Sequence, residues 1–212
     1  MAVLDLQEQE QLDTLKAWWK DNGTWVLGSV LVVVVAMGGW RGWQYYQNKQ
    51  TAEAATLYQQ FVDQLASNDP KRVNDAAAAV MDKYAATPYA PRAALIAAQV
   101  NESVKEPAHA KTQLQWVLEH GKEDGLKSVA GLRMASLLLD EKDYAGALKL
   151  LEAKHAASFD ALFADLKGDV LNAQGKPVEA RAAYQAAFDK LDAKSTYRNL
   201  VQMKLDAFGA PK

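Results

Sequence analysis

The residues first in line for chemistry are the three histidines, because imidazole titrates nearest neutral pH and is the commonest metal ligand. His109, His120 and His155 are dispersed along the chain. None has a second ligand at the i,i+4 spacing of a His-Glu-x-x-His site, so each reads as a surface or half-buried helix residue. Asp165 and Asp169 lie four apart on one predicted helix, and paired carboxylates can do acid–base work. The neighbouring Lys167 and Gly168 point instead to an ordinary polar face. Asp140-Glu141-Lys142-Asp143 forms an acidic turn without the Gly and terminal Glu of a calcium loop. There is no Gly-x-Ser-x-Gly and no phosphate loop. The chain has no Cys, which excludes disulfides, thiol nucleophiles and thiolate metal sites. The expectation is a non-enzyme with no catalytic, cofactor-binding or metal site and no small-molecule substrate.

Surface recognition remains. Tyr89, Trp116 and Tyr197 are candidate protein-binding anchors, because Trp and Tyr dominate many interfaces, although core packing is the stronger reading for each. Nucleic acid is not an expected partner. The net charge is -2, the segment from Gln47 onward carries 21 basic and 21 acidic residues, and its longest basic run is Lys71-Arg72.

The elements that would present such a surface are helices. Ala is abundant, Gly and Pro are sparse, and β-branched residues cluster in one place only. Leu166 to Leu191 reads as helix, turn at Gln174-Gly175-Lys176, Pro177 in the first turn of a second helix, then helix. Gly168, Ala180, Tyr184 and Ala187 fall at the small, small, large and small positions of a tetratricopeptide repeat. Small residues let two antiparallel helices approach, and the ring fills the space toward the next pair. The same frame fits Ala135, Tyr144, Ala147 and Leu151, and again Ala98, Pro107, Ala110 and Leu114. The central residues Ala110, Ala147 and Ala180 are 37 and 33 positions apart, close to the repeat length of about 34. A degenerate earlier pair is predicted at Thr51 to Ala66 and Pro70 to Tyr84, with Asn68-Asp69-Pro70 as stop and restart. Thr87-Pro88-Tyr89-Ala90-Pro91 is the next break. A final helix over Thr196 to Phe208 would cap the array. Leu200, Met203, Leu205 and Phe208 would cover the last repeat, Arg198, Lys204 and Asp206 would face water, and Gly209 and Pro211 would end the helix.

Ahead of these hairpins, Thr24 to Trp40 carries no charge, and Val30 to Ala36 is unbroken aliphatic or small. As helix it spans about 25 Å, which reaches membrane thickness if it extends through Tyr46 and Arg41 snorkels to the headgroups. Trp18, Trp19 and Trp25 at one end, and Trp40, Trp43, Tyr45 and Tyr46 at the other, make two aromatic belts. Cleavage as a signal peptide is not expected. The preceding tail holds Asp5, Glu8, Glu10, Asp13 and Asp21 against Lys16 and Lys20, and the core ends in Gly38-Gly39-Trp40-Arg41 rather than a small-x-small site. Lys16 and Lys20 against Arg41 and Lys49 is a tie in flanking charge, so charge does not fix orientation. Gly38 and Gly42 give a Gly-x-x-x-Gly spacing, for which chance in a Gly-containing stretch is the stronger reading. Leu4, Leu12, Leu15, Trp18 and Trp19 suggest a short helix lying on the membrane surface. The expected architecture is all-α: a tail over 1–23, a single transmembrane signal anchor over 24–46, and a tetratricopeptide-like α-solenoid over 47–212.

Three segments in this order carry a resemblance: Leu15 to Gly23, the junction Gly38-Gly39-Trp40-Arg41-Gly42-Trp43, and Ala164-Asp165-Leu166-Lys167-Gly168-Asp169. Together they resemble the YfgM family, ancillary subunits of the bacterial SecYEG translocon, over nearly the whole chain. The resemblance implies a single-pass type II protein of the bacterial inner membrane, with its N-terminus in the cytoplasm and its repeats in the periplasm. It also implies SecYEG and the periplasmic chaperone PpiD as partners, and a role in passing exported chains to folding factors. It brings no catalytic residues and assigns no partner-binding positions. The residues alone leave two other readings open: a tetratricopeptide adaptor of another envelope machine, or a holdase that binds unfolded exported chains directly.

Overall fold

The computed structural model describes residues 6–67 and 69–208. Leu4 of the predicted surface helix, Asn68 of the predicted break, and Gly209 and Pro211 of the predicted stop lie outside them. Helices and connecting turns account for the described chain, and no strand occurs in it. The helices are α1 (Leu6–Leu65), α2 (Pro70–Lys83), α3 (Tyr89–Ser103), α4 (Pro107–His120), α5 (Asp124–Asp140), α6 (Tyr144–Leu151), α7 (Asp160–Ala173), α8 (Pro177–Lys190) and α9 (Thr196–Asp206). A 3-10 turn at Ala157–Phe159 precedes α7.

The chain divides into two compact units, one ending at Gln50 and the other beginning at Thr51. The first unit is helix throughout its described length. Gly28, Gly38, Gly39 and Gly42 do not break α1, because in an apolar stretch the backbone groups have no partners but their own ladder. The sequence led us to expect a separate helix from Thr51, but nothing between Tyr46 and Thr51 stops the first one.

The second unit begins with the last turns of α1 and is a succession of helix pairs. Each hydrophobic cluster unites one pair with the first helix of the next. Phe61, Val73, Ala77 and Val80 pack with Ala90, Ala93 and Ala97 of α3. Ala98, Ala110, Leu114 and Val117 pack with Ala130 and Met134 of α5. Ala135, Ala147 and Leu151 pack with Phe163 and Val170 of α7. Leu171, Ala180, Tyr184 and Ala187 pack with Val201 and Leu205 of α9. Each hairpin thus leaves one face that only the next helix covers, which is the logic of a solenoid.

The register repeats in detail. Four residues sixteen apart from their partners pack one size against another: Phe61 with Ala77, Ala98 with Leu114, Ala135 with Leu151, and Gly168 with Tyr184, all buried. The first pair looked degenerate because its large residue sits on the first helix instead of the second. In the last pair the Tyr184 ring lies so close that a methyl group on Gly168 would stand 2.5 Å from its Cδ1 and Cε1. The turns repeat as well. Lys105, Lys142 and Gly175 have φ of 62°, 63° and 74°. The amide after each donates back to the carbonyl five residues earlier: Glu106 to Asn101 at 2.8 Å, Asp143 to Leu138 at 2.8 Å and Lys176 to Leu171 at 3.0 Å. This is one helix-ending turn used three times. Starts are set by Pro107 and Pro177, by Asp143 accepting from the Gly146 amide, and by Pro70 behind Asp69, whose carboxylate accepts from the amides of Lys71 and Arg72. Such a side-chain cap stabilises a helix by about 1 kcal/mol.

The face that α9 turns inward differs from the expectation. Tyr197, Val201, Leu205 and Phe208 pack on the last pair, while Leu200 and Met203 face outward. Arg198 and Lys204, expected in water, are half-buried. The Arg198 guanidinium lies over the Phe188 ring and donates to the carbonyls of Phe188 and Leu191, and Lys204 reaches a buried acidic pair on α7.

Candidate protein-binding site

That acidic pair and Lys204 form a cluster of three charges between α7 and α9. Asp165 and Asp169, one helical turn apart on α7, both point at α9. Lys204 Nζ donates to Asp165 at 3.0 and 2.8 Å and to Asp169 at 2.8 and 2.9 Å. The Tyr197 hydroxyl donates to Asp165 at 2.6 Å and the Tyr184 hydroxyl to Asp169 at 2.8 Å. Asp165 is only 3% exposed. Reading the pair as an ordinary polar face was therefore wrong; its role is to hold α9. Burial, reinforced by the carboxylates, raises the ionisation of both tyrosines above the ordinary range. For Lys204 burial pulls downward, but the hydrogen bonds it donates to two carboxylates override it and the net shift is upward. The i,i+4 spacing of the aspartates was visible in the sequence; their cation, 39 and 35 residues away, was not.

The repeats are tied to one another by polar contacts. Arg92 on α3 forms a two-pronged pair with Glu123, at 2.8 and 3.0 Å. Arg133 on α5 reaches back to α3, donating to Glu102 at 3.2 Å and to the Leu95 carbonyl at 2.9 Å. Asn74, Asn101 and Gln113, from α2, α3 and α4, close a triangle of amide hydrogen bonds at 2.8 to 3.0 Å. A groove of 640 Å³ above that triangle, between α2 and α4, is edged by Asp69, Lys71, Asp75, Met81 and His109. None of these ties was read from the sequence, because each joins residues whose neighbourhood is set by stacking rather than by local spacing.

The proposed aromatic anchors are each engaged in packing. Tyr89 lies against Tyr58 at 5.3 Å, between α3 and α1. Trp116 stacks on His120 at 4.7 Å and borders two clusters. Tyr197 is spent on Asp165. The sequence-derived packing positions Ala98, Ala110, Leu114, Ala135, Ala147, Leu151, Gly168, Ala180, Tyr184 and Ala187 are all buried. His109 contacts Glu106 at 2.8 Å, and His155 stacks on Phe163 at 3.8 Å. Among the described residues no group of three His, Cys, Asp or Glu is placed to hold a metal.

The first unit presents the opposite kind of surface. Trp25 is 80% exposed, and Leu31, Val32, Val35 and Trp40 are more than half exposed. Among the described residues one helix is long and apolar enough to cross a membrane, and 6% of its apolar window is buried. Exposed apolar surface on that scale marks a membrane or an interaction site; a core helix would hide it.

A stack of paired helices together with such a helix defines the class: a tetratricopeptide-like repeat protein with a candidate membrane anchor. Residues 16–210 match the family model for the tetratricopeptide repeat-like domain. A protein of Neisseria gonorrhoeae named ancillary SecYEG translocon subunit is 32% identical over 206 residues, covering 95% of this chain and 97% of its own. Its Escherichia coli namesake is 30% identical over 202 residues, covering 94% and 95%. A Haemophilus influenzae protein of the same name is 27% identical, covering 86% and 89%. The chain belongs to the YfgM family of ancillary SecYEG translocon subunits. No solved structure matches it. The family's names and the repeat fold point to an adaptor rather than an enzyme.

Proposed function

We propose that this protein is a non-enzymatic, membrane-anchored subunit of the SecYEG translocon that binds other proteins through its repeats. The reading is carried by one observation: relatives named as translocon subunits match the chain from the apolar helix through the last repeat, over 95% and 94% of its length in two that are 32% and 30% identical. The segment 24–46 serves as the signal anchor of a single-pass type II protein in the bacterial inner membrane. The tail over 1–23 lies in the cytoplasm, and the repeats over 47–212 lie in the periplasm, where they link exported chains to periplasmic chaperones, PpiD among them. The repeat-packing residues hold the array in shape and the surface between them meets the partners.

Co-purification from detergent-solubilised membranes tests this. Recovery of SecY with the tagged full-length protein, and of PpiD in the same fraction, is the expected result. Recovery of neither overturns the proposal.

A further inference from the structure

The amide triangle of Asn74, Asn101 and Gln113 departs from the repeat. In the register shared by the pairs, Leu138 and Leu171 take the place of Asn101 in the third and fourth pairs, and Leu150 and Ala183 take the place of Gln113. All four pack into apolar clusters. The second pair instead buries Asn101 completely and leaves Gln113 only 9% exposed. Amides in an apolar core cost stability unless their groups find partners, and leucines fill the same space without that condition. The third and fourth pairs fold without the triangle, so packing alone does not call for it.

The triangle does not use up its donors. Asn101 spends both N–H groups, on the side-chain oxygens of Asn74 and Gln113 and on the Ala97 carbonyl. Asn74 donates once, to Asn101 at 3.0 Å, and Gln113 once, to Asn74 at 2.8 Å. A primary amide carries two N–H groups, so Asn74 and Gln113 each keep one without a partner among the described residues. Those two residues line the 640 Å³ groove between α2 and α4, and Asn101 does not. The groove thus sets two N–H donors beside the apolar Ala78 and Met81. They call for an acceptor, and the rim decides its kind. Asp69, Asp75 and Glu106 stand against Lys71 and His109, and the His109 ring is already on Glu106 at 2.8 Å. A carboxylate is repelled there and a neutral carbonyl is not. A helix has spent its carbonyls on its own ladder, whereas an extended chain still offers them.

We propose that the groove between α2 and α4 binds an uncharged polypeptide segment in extended conformation. Its main-chain carbonyls accept from Asn74 Nδ2 and Gln113 Nε2, and a side chain rests on Ala78 and Met81. Such a site draws its affinity from the backbone of the bound chain, and Met81 adapts to side chains of different shape. This rests on the reading of the protein as a protein-binding subunit and names the class of partner: a chain not yet folded, whose backbone groups are still free.

The test uses the full-length protein in detergent and three probes. They are a fluorescein-labelled alternating threonine–valine peptide, the same peptide with esters in place of alternate amides, and an unlabelled lactam-bridged alanine-rich helix. An ester carbonyl is a poorer acceptor than an amide carbonyl. Fluorescence anisotropy is expected to show the amide peptide bound at least about tenfold more tightly than the ester, and the helix unable to displace it. Asn74→Leu combined with Asn101→Leu and Gln113→Leu gives the second pair the residues Leu148, Leu138 and Leu150 of the third. Replacing all the polar partners together is close to neutral for folding, so this variant is expected to resist denaturant as well as the wild type while binding the amide peptide at least about tenfold more weakly. Asn74→Asp, a change of one half-buried group without change of shape, is expected to weaken binding too, and it decides alone if the triple variant does not fold. No binding of the amide peptide, equal binding of the ester, displacement by the helix, or undiminished binding in a folded variant overturns the groove proposal. Co-purification keeps the two ideas apart. If SecY is recovered with a wild-type protein that binds no peptide, the groove proposal alone fails; recovery of neither SecY nor PpiD with the wild type fails the functional reading.

Discussion

Gly168 and Tyr184 show how one pair of side chains sets the approach of two helices. The ring occupies the place of a β-carbon, so Gly168→Ala must push α7 and α8 apart or turn the ring. Overpacking of that kind costs about 1–3 kcal/mol, and chemical denaturation of the variant measures it. The large-against-small rule of the other pairs adds a sharper expectation. Tyr184→Leu combined with Gly168→Ala recreates the Ala135–Leu151 pairing and recovers stability relative to Gly168→Ala alone, a coupling that a double-mutant cycle reads directly. Lys142, at φ 63°, makes the opposite case. A left-handed backbone costs a residue with a β-carbon about 1–2 kcal/mol, while glycine's extra freedom in the unfolded chain costs about 0.5–1 kcal/mol. Lys142→Gly is therefore expected to raise stability by about 0.5–1 kcal/mol, seen as a higher Tm. Gly168, Ala180 and Tyr184 could be singled out from the sequence because small residues and prolines recur at fixed offsets. The left-handed turn at Lys105 and Lys142 could not, since lysine gives no hint of it and only Gly175 marks the position by type.

At the scale of elements, α9 depends on its polar attachment as well as on its apolar face. Lys204→Met leaves Asp165 with Tyr197 as its remaining partner in a buried setting. Stranding a buried carboxylate is strongly destabilising; with Lys204 partly in contact with water the expected loss is about 2 kcal/mol. Hydrogen exchange should report it as early loss of protection across Thr196–Asp206 while α3 to α5 keep theirs. The same attachment is sensitive to alkali. Tyr184, Tyr197 and Lys204 all hold their protons more tightly folded than unfolded. Their contribution is thus complete below their ordinary values of 10.0 and 10.5 and is lost as pH rises above them. A fall in Tm beginning near pH 10, weaker in Lys204→Met, is the expected profile. The inward face of α9 was misread from sequence because charge was taken as a sign of exposure, and the acids that draw Lys204 inward belong to another helix. The early end of α6 was equally hidden, since Leu151-Glu152-Ala153-Lys154 contains no helix-breaking residue. By contrast, the starts at Pro70, Pro107 and Pro177 and the apolar run in α1 were legible, because each is dictated by the local chain.

For the molecule as a whole, the repeats and the family's names point to an adaptor that works through its surface. Four pairs and a closing helix bury small and large side chains in alternation, and what they leave outside is a patterned surface of ion pairs and grooves. The apolar helix explains where that surface is used. Its residues from Leu27 to Trp40 are exposed, which in water would be a severe liability and in a bilayer is the ordinary state. The proposed function requires this helix to remain in the membrane as an uncleaved anchor and to hold the repeats on the exporting side. Fusing alkaline phosphatase after Lys212 and assaying whole cells tests it most directly. An active reporter that stays with the membrane fraction after carbonate extraction is expected; an inactive reporter, or one released into the soluble fraction, overturns this reading.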